Sequence, residues 1–309
     1  MRMLLQSTVA TEILIEGMGL HSGLPVYVSI QPAPEDTGIL FRSLMNDTEK
    51  GVRAHYTNLQ DAQNAITIGN ESFNIQTIEH FMAAFYAFGI SNAVVVVHGS
   101  EMPILDGSSK EIVEALNRVG VHTQGAIQEM FRIPYPIWVE ENSSYLIALP
   151  SEGFRITYTI DFTSRSVAVG TQTAHYVIER DAFAESIAPA RTFGFYEELE
   201  YLKSNNLALG GSLDNALVFT KDGLINDNLR FSNECVRHKM LDLIGDLALI
   251  GYRLSGHIIA HKAGHAMDLA LVRKIDMVRK RKLRSSVISR QVLKRRELEF
   301  KKFKKRINF

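Results

Sequence analysis

Two side chains spaced four residues apart give this sequence its clearest chemical signal. His238 and Asp242 lie in the segment NECVRHKMLDLIGDLALI, whose apolar residues recur at helical spacing, so both side chains project from one face of a helix. An imidazole and a carboxylate arranged in this way are two of the N and O ligands that catalytic zinc takes. Alone, the pair is more typical of a solvated or salt-bridged surface. Asp246 extends the same face by one turn, which favours a functional interpretation.

A second candidate helix, TIEHFMAAFYAF, contributes an acid beside an imidazole, Glu79 and His80. A buried core histidine is the simpler interpretation of His80 alone. A buried glutamate is uncommon without a purpose, and Glu79 has no lysine or arginine within one helical turn. A glutamate next to a metal-binding histidine is well placed to act as base toward water at the metal.

The remaining candidates are a third histidine, two lysines and a cysteine. His265, in KAGHA, follows a predicted strand and could be a catalytic imidazole at the strand end. Lys239 and Lys262 could face a phosphate or a developing oxyanion, although plain solvation is the simpler alternative. Cys235 could be a soft ligand, but a buried free thiol is favoured. Neither H-E-x-x-H nor C-x-x-C occurs, so nothing supports a thermolysin-like protease or a cysteine-held structural zinc.

Short strands and interspersed helices must position these residues. In the first half, the patterns predict strands at 26–30, 38–42 and 93–98 and helices at 77–88, capped by Thr77, and at 106–119. In the second half, they predict strands at 144–149, 155–160, 174–178 and 256–260 and helices at 181–187, 197–204, 233–250 and from 264 onward. This mixture predicts an α+β fold rather than a doubly wound sheet.

The formal net charge of zero hides an uneven distribution. From Arg273 to the end there are 16 Lys+Arg against 3 Asp+Glu, whereas the rest of the chain holds 18 against 31. No stretch approaches the about 20 apolar residues that cross a bilayer. The one cysteine, Cys235, cannot form an intrachain disulfide, which fits a reducing compartment. We therefore expect an acidic cytoplasmic body with a strongly basic tail.

Seven motifs, taken in order, make the sequence resemble a known family. They are GMGLHSG (17–23), TIEHFMAA (77–84), PILDGS (103–108), APARTFGF (188–195), GGSLDNA (210–216), VRHKMLDLIGDL (236–247) and KAGHA (262–266). In this order they resemble the UDP-3-O-acyl-N-acetylglucosamine deacetylases, which are zinc amidases of lipid A biosynthesis. The resemblance extends from about residue 3 to about residue 275. It implies hydrolysis of the N-acetyl group of the UDP-linked acylated amino sugar, giving UDP-3-O-acyl-glucosamine and acetate.

The resemblance also implies the catalytic machinery. It assigns the role of metal ligands to His80, His238 and Asp242. The implied metal is Zn²⁺, and Fe²⁺ is chemically compatible with the same ligands. Glu79 is the implied general base and His265 the implied general acid, with Asp246 orienting that imidazole.

Four further positions match residues that handle the substrate in the family. The resemblance implies that the hydroxyl of Thr192 stabilises the oxyanion. It implies that Lys239 lies on the side of the substrate phosphate and of the oxyanion. It places Phe193 and Gly211 where the substrate is held.

Three positions depart from the family pattern without being proposed ligands or proton carriers: Cys235, His261 and Asp268. His261 adds a second imidazole near His265, and the KAGHA motif favours His265 as the acid.

The implied fold is α+β with two similar domains, at residues 1–127 and 128–275. Each domain has a β-sheet layer with helices, and the helices pack together between the sheets. The metal lies in the interdomain cleft, beside an apolar passage for the acyl chain.

The basic tail, residues 276–309, lies outside the resemblance and leaves three alternatives. It could be solvated or partly disordered, or a basic amphipathic helix that attaches the enzyme to the anionic inner membrane. RNA or another acidic partner is the third alternative, although no specific nucleic acid is predicted.

Two further functions compete with the deacetylase. One is a catalytically idle scaffold that binds membrane or nucleic acid through the tail. The other is a zinc amidase that acts on a different acyl sugar or on a peptide.

Overall fold

The computed structural model of the chain describes residues 4–44, 51–284 and 290–307. Residues 1–3, 45–50, 285–289 and 308–309, which belong to the predicted first domain and the predicted tail, lie outside the described residues. Over the described residues, no helix is both long and apolar enough to cross a bilayer.

The described residues of the first half form one main sheet, two smaller sheets and two α-helices. The strands are β1 (Leu5–Val9), β2 (Ile13–Met18), β3 (Pro25–Pro32), β4 (Ile39–Ser43), β5 (Val52–Arg53), β6 (Leu59–Asp61), β7 (Thr67–Gly69), β8 (Asn74–Gln76), β9 (Ala93–His98) and β10 (Val121–Ile127), and the helices are α1 (Glu79–Phe88) and α2 (Lys110–Val119). The main sheet has the order β2-β3-β9-β4-β5, with β4 and β9 parallel and the other pairs antiparallel. Strands β1 and β10 pair separately, as do β6, β7 and β8.

The second half repeats this arrangement. Its strands are β11 (Met130–Arg132), β12 (Ile137–Glu141), β13 (Ser144–Leu149), β14 (Phe154–Asp161), β15 (Thr171–Val177), β16 (Phe193–Phe195), β17 (Leu217–Phe219) and β18 (Arg253–His261), and its helices are α3 (Arg180–Ser186), α4 (Leu199–Ser204), α5 (Glu234–Ala248), α6 (His265–Arg284) and α7 (Arg290–Arg306). The sheet order is β12-β13-β18-β14-β15, and β14 and β18 are the parallel pair.

The two sheets therefore share one topology. Each begins with an antiparallel hairpin, and each inserts its last strand, β9 or β18, between the hairpin and a parallel neighbour. A buried helix precedes that last strand in both halves, α1 before β9 and α5 before β18. The sequence shows only a faint echo of this repetition, because sheet topology is compatible with very different side chains. The fold confirms the predicted α+β class with two similar halves.

Helices α1 and α5 are buried in one apolar core shared with both sheets. All ten residues of α1 are buried, as expected for a helix that is covered on every side. The sheets supply alternating inward residues to this core, such as Val26, Val28 and Ile30 on β3 and Ile156 and Tyr158 on β14. Strand β10, which pairs with β1, ends at Ile127, and the next strand, β11, pairs with β18 of the second sheet. The domain boundary at about residue 127 stays a prediction.

The basic tail is helical over its described residues. Helix α6 runs from His265 to Arg284, through the boundary predicted after residue 275. Helix α7 follows, and its Phe300 and Phe303 are buried beside Trp138 and Tyr145 of the second sheet. The apolar side of α7 is thus turned to the protein, and basic residues such as Arg295 are exposed.

Candidate metal centre and active site

Three buried side chains from two helices form the group that could hold a metal ion. The Nε2 atoms of His80 and His238 lie 3.7 Å and 3.4 Å from Oδ1 of Asp242. The two imidazole rings are nearly perpendicular, with centroids 5.1 Å apart. The ligand atoms of all three residues lie within 4.8 Å of one another. The structure therefore brings together the three predicted metal ligands.

Local backbone geometry explains why α1 and α5 meet here. We predicted that Thr77 caps α1, but the N-cap position belongs to Ile78 and has no side-chain cap. Thr77 instead adopts a positive φ of 60°, and its hydroxyl donates to Glu101 at 3.2 Å. This sharp bend starts α1 directly against α5, so Glu79 and His80 occupy its first turn.

Two hydrogen bonds orient the ligand atoms. His238 Nδ1 lies 3.0 Å from the carbonyl oxygen of Ala190. A proton on Nδ1 that donates to this oxygen leaves the Nε2 lone pair facing Asp242, which is the tautomer a metal requires. Lys239 Nζ donates to Oδ2 of Asp242 at 2.8 Å, leaving Oδ1 directed at the two histidines. Lys239 is therefore tied to a proposed ligand.

The charges of these groups suit a divalent cation. Burial, and next the proximity of His238, lowers the pKa of His80 to about 3, and burial also lowers the pKa of His238. Burial alone would raise the pKa of Asp242, but Lys239 and the histidines more than offset it, so that the pKa lies below its usual value. Two neutral imidazoles and one carboxylate are a donor set typical of zinc and of iron(II).

Glu79 is buried beside this group, on the same turn of α1 as His80. Its Oε2 accepts a hydrogen bond from the backbone N–H of Ile66 at 3.1 Å. Burial raises the pKa of Glu79 to about 7, the carboxylates of Asp242 and Asp246 add to the rise, and His265 opposes it. A carboxyl group with a pKa near neutrality can both accept and release a proton under physiological conditions.

His265 is the first residue of α6 and faces α5. Its Nδ1 lies 2.7 Å from Oδ2 of Asp246, which is wholly buried. The same end of α6 carries Asp268, also wholly buried, and Asp246, His265 and Asp268 form a second close group of potential ligand atoms. His261, the other imidazole on this stretch, stacks on Tyr145, with ring centroids 5.0 Å apart.

The segment around residue 190 passes beside His238. The ring of Phe193 lies 6.3 Å from the His238 ring. Thr192 donates its backbone N–H to the carbonyl oxygen of Gly107 at 2.7 Å, so this hydrogen bond joins the APARTFGF motif to the PILDGS motif. Gly211 packs against Ala208 and Leu20, in a loop that contacts the turn of the GMGLHSG motif.

Two of the sequence candidates are accounted for by other contacts. Lys262, for which solvation was the simpler interpretation, forms an ion pair through Nζ with Asp161 at 2.9 Å, at the end of β14. Cys235 is a buried free thiol, as favoured from the sequence, and burial raises its pKa to about 12.

Sequence reasoning missed a buried ion pair that holds the His238 segment in place. Glu234, at the start of α5, is wholly buried, and its Oε1 lies 2.9 Å from Nε of Arg191. Oε2 of Glu234 accepts the backbone N–H of Arg230 at 2.6 Å. The pair fixes Ala190, whose carbonyl faces His238. The sequence offered no local signal for this pair, because its two residues lie 43 positions apart.

Comparison with known proteins places the chain in one enzyme family. The family described as LpxC, UDP-3-O-acyl N-acetylglycosamine deacetylase, matches residues 6–277. A UDP-3-O-acyl-N-acetylglucosamine deacetylase of Leptospira biflexa serovar Patoc (strain Patoc 1 / Ames) is 40% identical over 271 residues, covering 87% of this chain and 89% of the relative. Proteins of the same name from Thermodesulfovibrio yellowstonii and Idiomarina loihiensis are 40% identical over 270 and 275 residues, covering 87% and 88% of this chain and 91% and 90% of theirs. The chain belongs to the UDP-3-O-acyl N-acetylglycosamine deacetylase family.

Proposed function

We propose that this protein hydrolyses the N-acetyl group of UDP-3-O-acyl-N-acetylglucosamine in lipid A biosynthesis. Water adds to the amide carbonyl, the C–N bond breaks, and acetate and UDP-3-O-acyl-glucosamine leave. The observation that carries this proposal is that Glu79 and the His265–Asp246 pair lie close to one three-ligand group in a member of this family.

His80, His238 and Asp242 would hold the metal ion, which we propose to be Zn²⁺, with Fe²⁺ as the compatible alternative. When bound, such an ion polarises an amide carbonyl and lowers the pKa of a nearby water. The protein's share is to keep both imidazoles neutral through burial and to keep Asp242 ionised through Lys239.

Glu79 and His265 divide the two proton transfers. Glu79 takes the proton from the attacking water, because its carboxylate is adjacent to His80 and its pKa lies near neutrality. His265 donates a proton from Nε2 to the departing amine, which is otherwise a very poor leaving group. Asp246 accepts the Nδ1–H of His265 at 2.7 Å and thereby fixes the ring with Nε2 free to donate.

The substrate roles proposed for the remaining residues rest on the resemblance to the family. Thr192 would donate its hydroxyl to the developing oxyanion, a contact typically worth about 3 kcal/mol. Lys239 uses one N–H for Asp242, and the other two can serve the oxyanion or a phosphate. Phe193, beside His238, would line the site, and Gly211 would lie against the nucleotide-sugar.

We further propose domains at residues 1–127 and 128–275, with the site and an acyl passage in the cleft between them.

The decisive experiment measures metal content and deacetylation on one preparation. The wild-type protein should carry one divalent ion and release acetate from the UDP-linked substrate, and His238→Ala should lose both properties. The matched control is His122→Ala, which changes an exposed histidine on β10. A metal-free, inactive wild-type protein would support the scaffold alternative. Faster turnover of an unlinked acyl sugar or a peptide would support a different amidase.

For the tail, we propose electrostatic attachment of a cytoplasmic enzyme to the anionic inner membrane. The support is the charge of α7, which holds nine Lys+Arg and two Glu, and each basic residue near such a surface adds about 1 kcal/mol. Deleting residues 285–309 should abolish binding to anionic vesicles. It should leave unchanged the turnover of a short-chain substrate that is free in solution. Equal vesicle binding by both proteins would contradict this attachment.

A further inference from the structure

Two buried carboxyl groups lie side by side behind His265. Asp246, on α5, and Asp268, on the first turn of α6, are both fully buried, and with His265 their ligand atoms lie within 4.8 Å of one another. Oδ2 of Asp246 accepts the Nδ1–H of His265. Within the described chain, neither Oδ1 of Asp246 nor either carboxyl oxygen of Asp268 receives a hydrogen bond from an N–H or O–H donor.

An ionised carboxylate has only acceptor atoms. Two ionised carboxylates in contact would therefore repel each other and leave three buried oxygens unsatisfied, and each such atom costs free energy. A single proton removes the repulsion and provides partners for two of the three oxygens. Placed on Asp268, it turns this residue into a donor toward Oδ1 of Asp246, and every oxygen of Asp246 then has a partner.

The surroundings favour this arrangement. The charged and titratable groups that face Asp268 are Lys239 and Asp246 on α5, His265 on α6 and Tyr158 on β14. Lys239 is already bound to Asp242, and the Tyr158 hydroxyl donates to the carbonyl of Ala263 at 2.8 Å. Burial, and next a neighbouring carboxylate, hold the pKa values of both Asp246 and Asp268 well above their usual range. The contact between the two groups lowers the pKa of Asp246 and raises that of Asp268, so the proton belongs on Asp268.

We propose that Asp268 is a positioning residue for the proposed reaction, carrying a proton that it donates to Asp246. Asp246 is then held by two donors, His265 on one oxygen and Asp268 on the other, and cannot rotate away from the imidazole. The proton also limits the negative charge behind His265. A second ionised carboxylate would make protonated His265 a weaker acid and slow its donation to the leaving amine.

The inference rests on the proposed role of His265, and its test has a readout that does not need activity. The His265 ring can be titrated by NMR in the full-length, metal-loaded protein, with the resonance assigned by its loss in His265→Gln. Asp268→Asn replaces a neutral donor by another neutral donor, so the pKa of His265 should stay within about 0.3 of the wild-type value. A fall of about one unit or more would show that Asp268 was ionised and would overturn the proposal.

Kinetics give the second readout. Asp268→Asn should rescue turnover to within about threefold of wild type, whereas Asp268→Ala, which removes the donor, should lower kcat about tenfold or more at unchanged KM. Equal losses in both variants would refute the donor role. If the wild-type protein proves inactive, the proposed function fails, and the titration still decides whether Asp268 carries the proton.

Discussion

The backbone of Gly245 lies directly against the backbone of Glu79. A Cβ atom added at Gly245 would lie 2.1 Å from the carbonyl oxygen of Glu79 and 2.8 Å from its carbonyl carbon. This contact between α5 and α1 fixes the distance between the helices at the first turn of α1. His80 follows Glu79 directly, and Asp242 precedes Gly245 by three residues, so the same contact determines how closely the two metal-binding segments approach.

Gly245→Ala should therefore disrupt the metal site. Alanine normally stabilises a helix interior by about 1 kcal/mol relative to glycine, but here the methyl group must push α1 away, at a cost of about 1–3 kcal/mol. We expect a lower melting temperature and weaker metal binding, measured by calorimetry and by metal titration. Gly223→Ala is the control, because Gly223 has space for a Cβ. A variant that binds metal as tightly as wild type would contradict this role of Gly245.

Burial of Glu79 predicts that the free energy of unfolding of the metal-free protein decreases as the pH rises toward neutrality. The folded protein raises the pKa of Glu79 from 4.5 to about 7, so it binds this proton more tightly than the unfolded chain does. The contribution of Glu79 to stability is complete below pH 4.5 and is lost as the pH rises to about 7. The loss amounts to as much as about 3 kcal/mol.

Glu79→Gln removes this titration and should isolate it. The glutamine carbonyl can still accept the N–H of Ile66. Between about pH 4 and about pH 8, the free energy of unfolding of the metal-free variant should rise relative to wild type by up to about 3 kcal/mol. Denaturant unfolding of chelator-treated proteins measures the difference. A difference that does not change with pH would show that Glu79 titrates normally.

The sequence predicted which candidate residues lie together better than it predicted the contacts that position them. His238, Asp242 and Asp246 follow from helical periodicity, and Glu79 and His80 from an acid and an imidazole in an apolar helix. The contacts that position them join residues far apart in sequence, such as Arg191 with Glu234 and Gly245 with Glu79. No local pattern encodes such pairs. The cap of α1 was predicted wrongly for the same reason, because Glu101, a distant residue, binds the Thr77 hydroxyl.

Metal removal should destabilise the protein as well as inactivate it. A ligand that binds only the folded state stabilises it by about 2.7 kcal/mol at a concentration 100 times its dissociation constant. Chelation should therefore lower the melting temperature, and added Zn²⁺ should restore both stability and acetate release. In His80→Ala, added Zn²⁺ should restore neither, whereas His122→Ala should respond like wild type. A melting temperature that does not respond to chelation would contradict a metal held by His80, His238 and Asp242.

The chain's single tryptophan should report whether α7 is docked. Trp138 lies 5.4 Å from the ring centroids of both Phe300 and Phe303, and the Phe303 ring stacks on it. Phe303→Ala removes a buried aromatic contact, which typically costs about 3–5 kcal/mol, and should release α7 from the sheet. Trp138 emission should then shift to longer wavelength, and quenching by acrylamide should increase.

Leu298→Ala provides the control for this experiment, because Leu298 is 57% exposed on the same helix and its loss should leave the emission unchanged. Deleting residues 285–309 should reproduce the Phe303→Ala spectrum. Turnover of a soluble substrate should stay at the wild-type level in both proteins, because α7 packs on Trp138 and Tyr145 rather than on the metal ligands. If Phe303→Ala and Leu298→Ala give the same emission as wild type, α7 does not rest on Trp138 in solution. The apolar side of α7 would then be available to a membrane, and attachment would involve more than the charge of its exposed lysines and arginines.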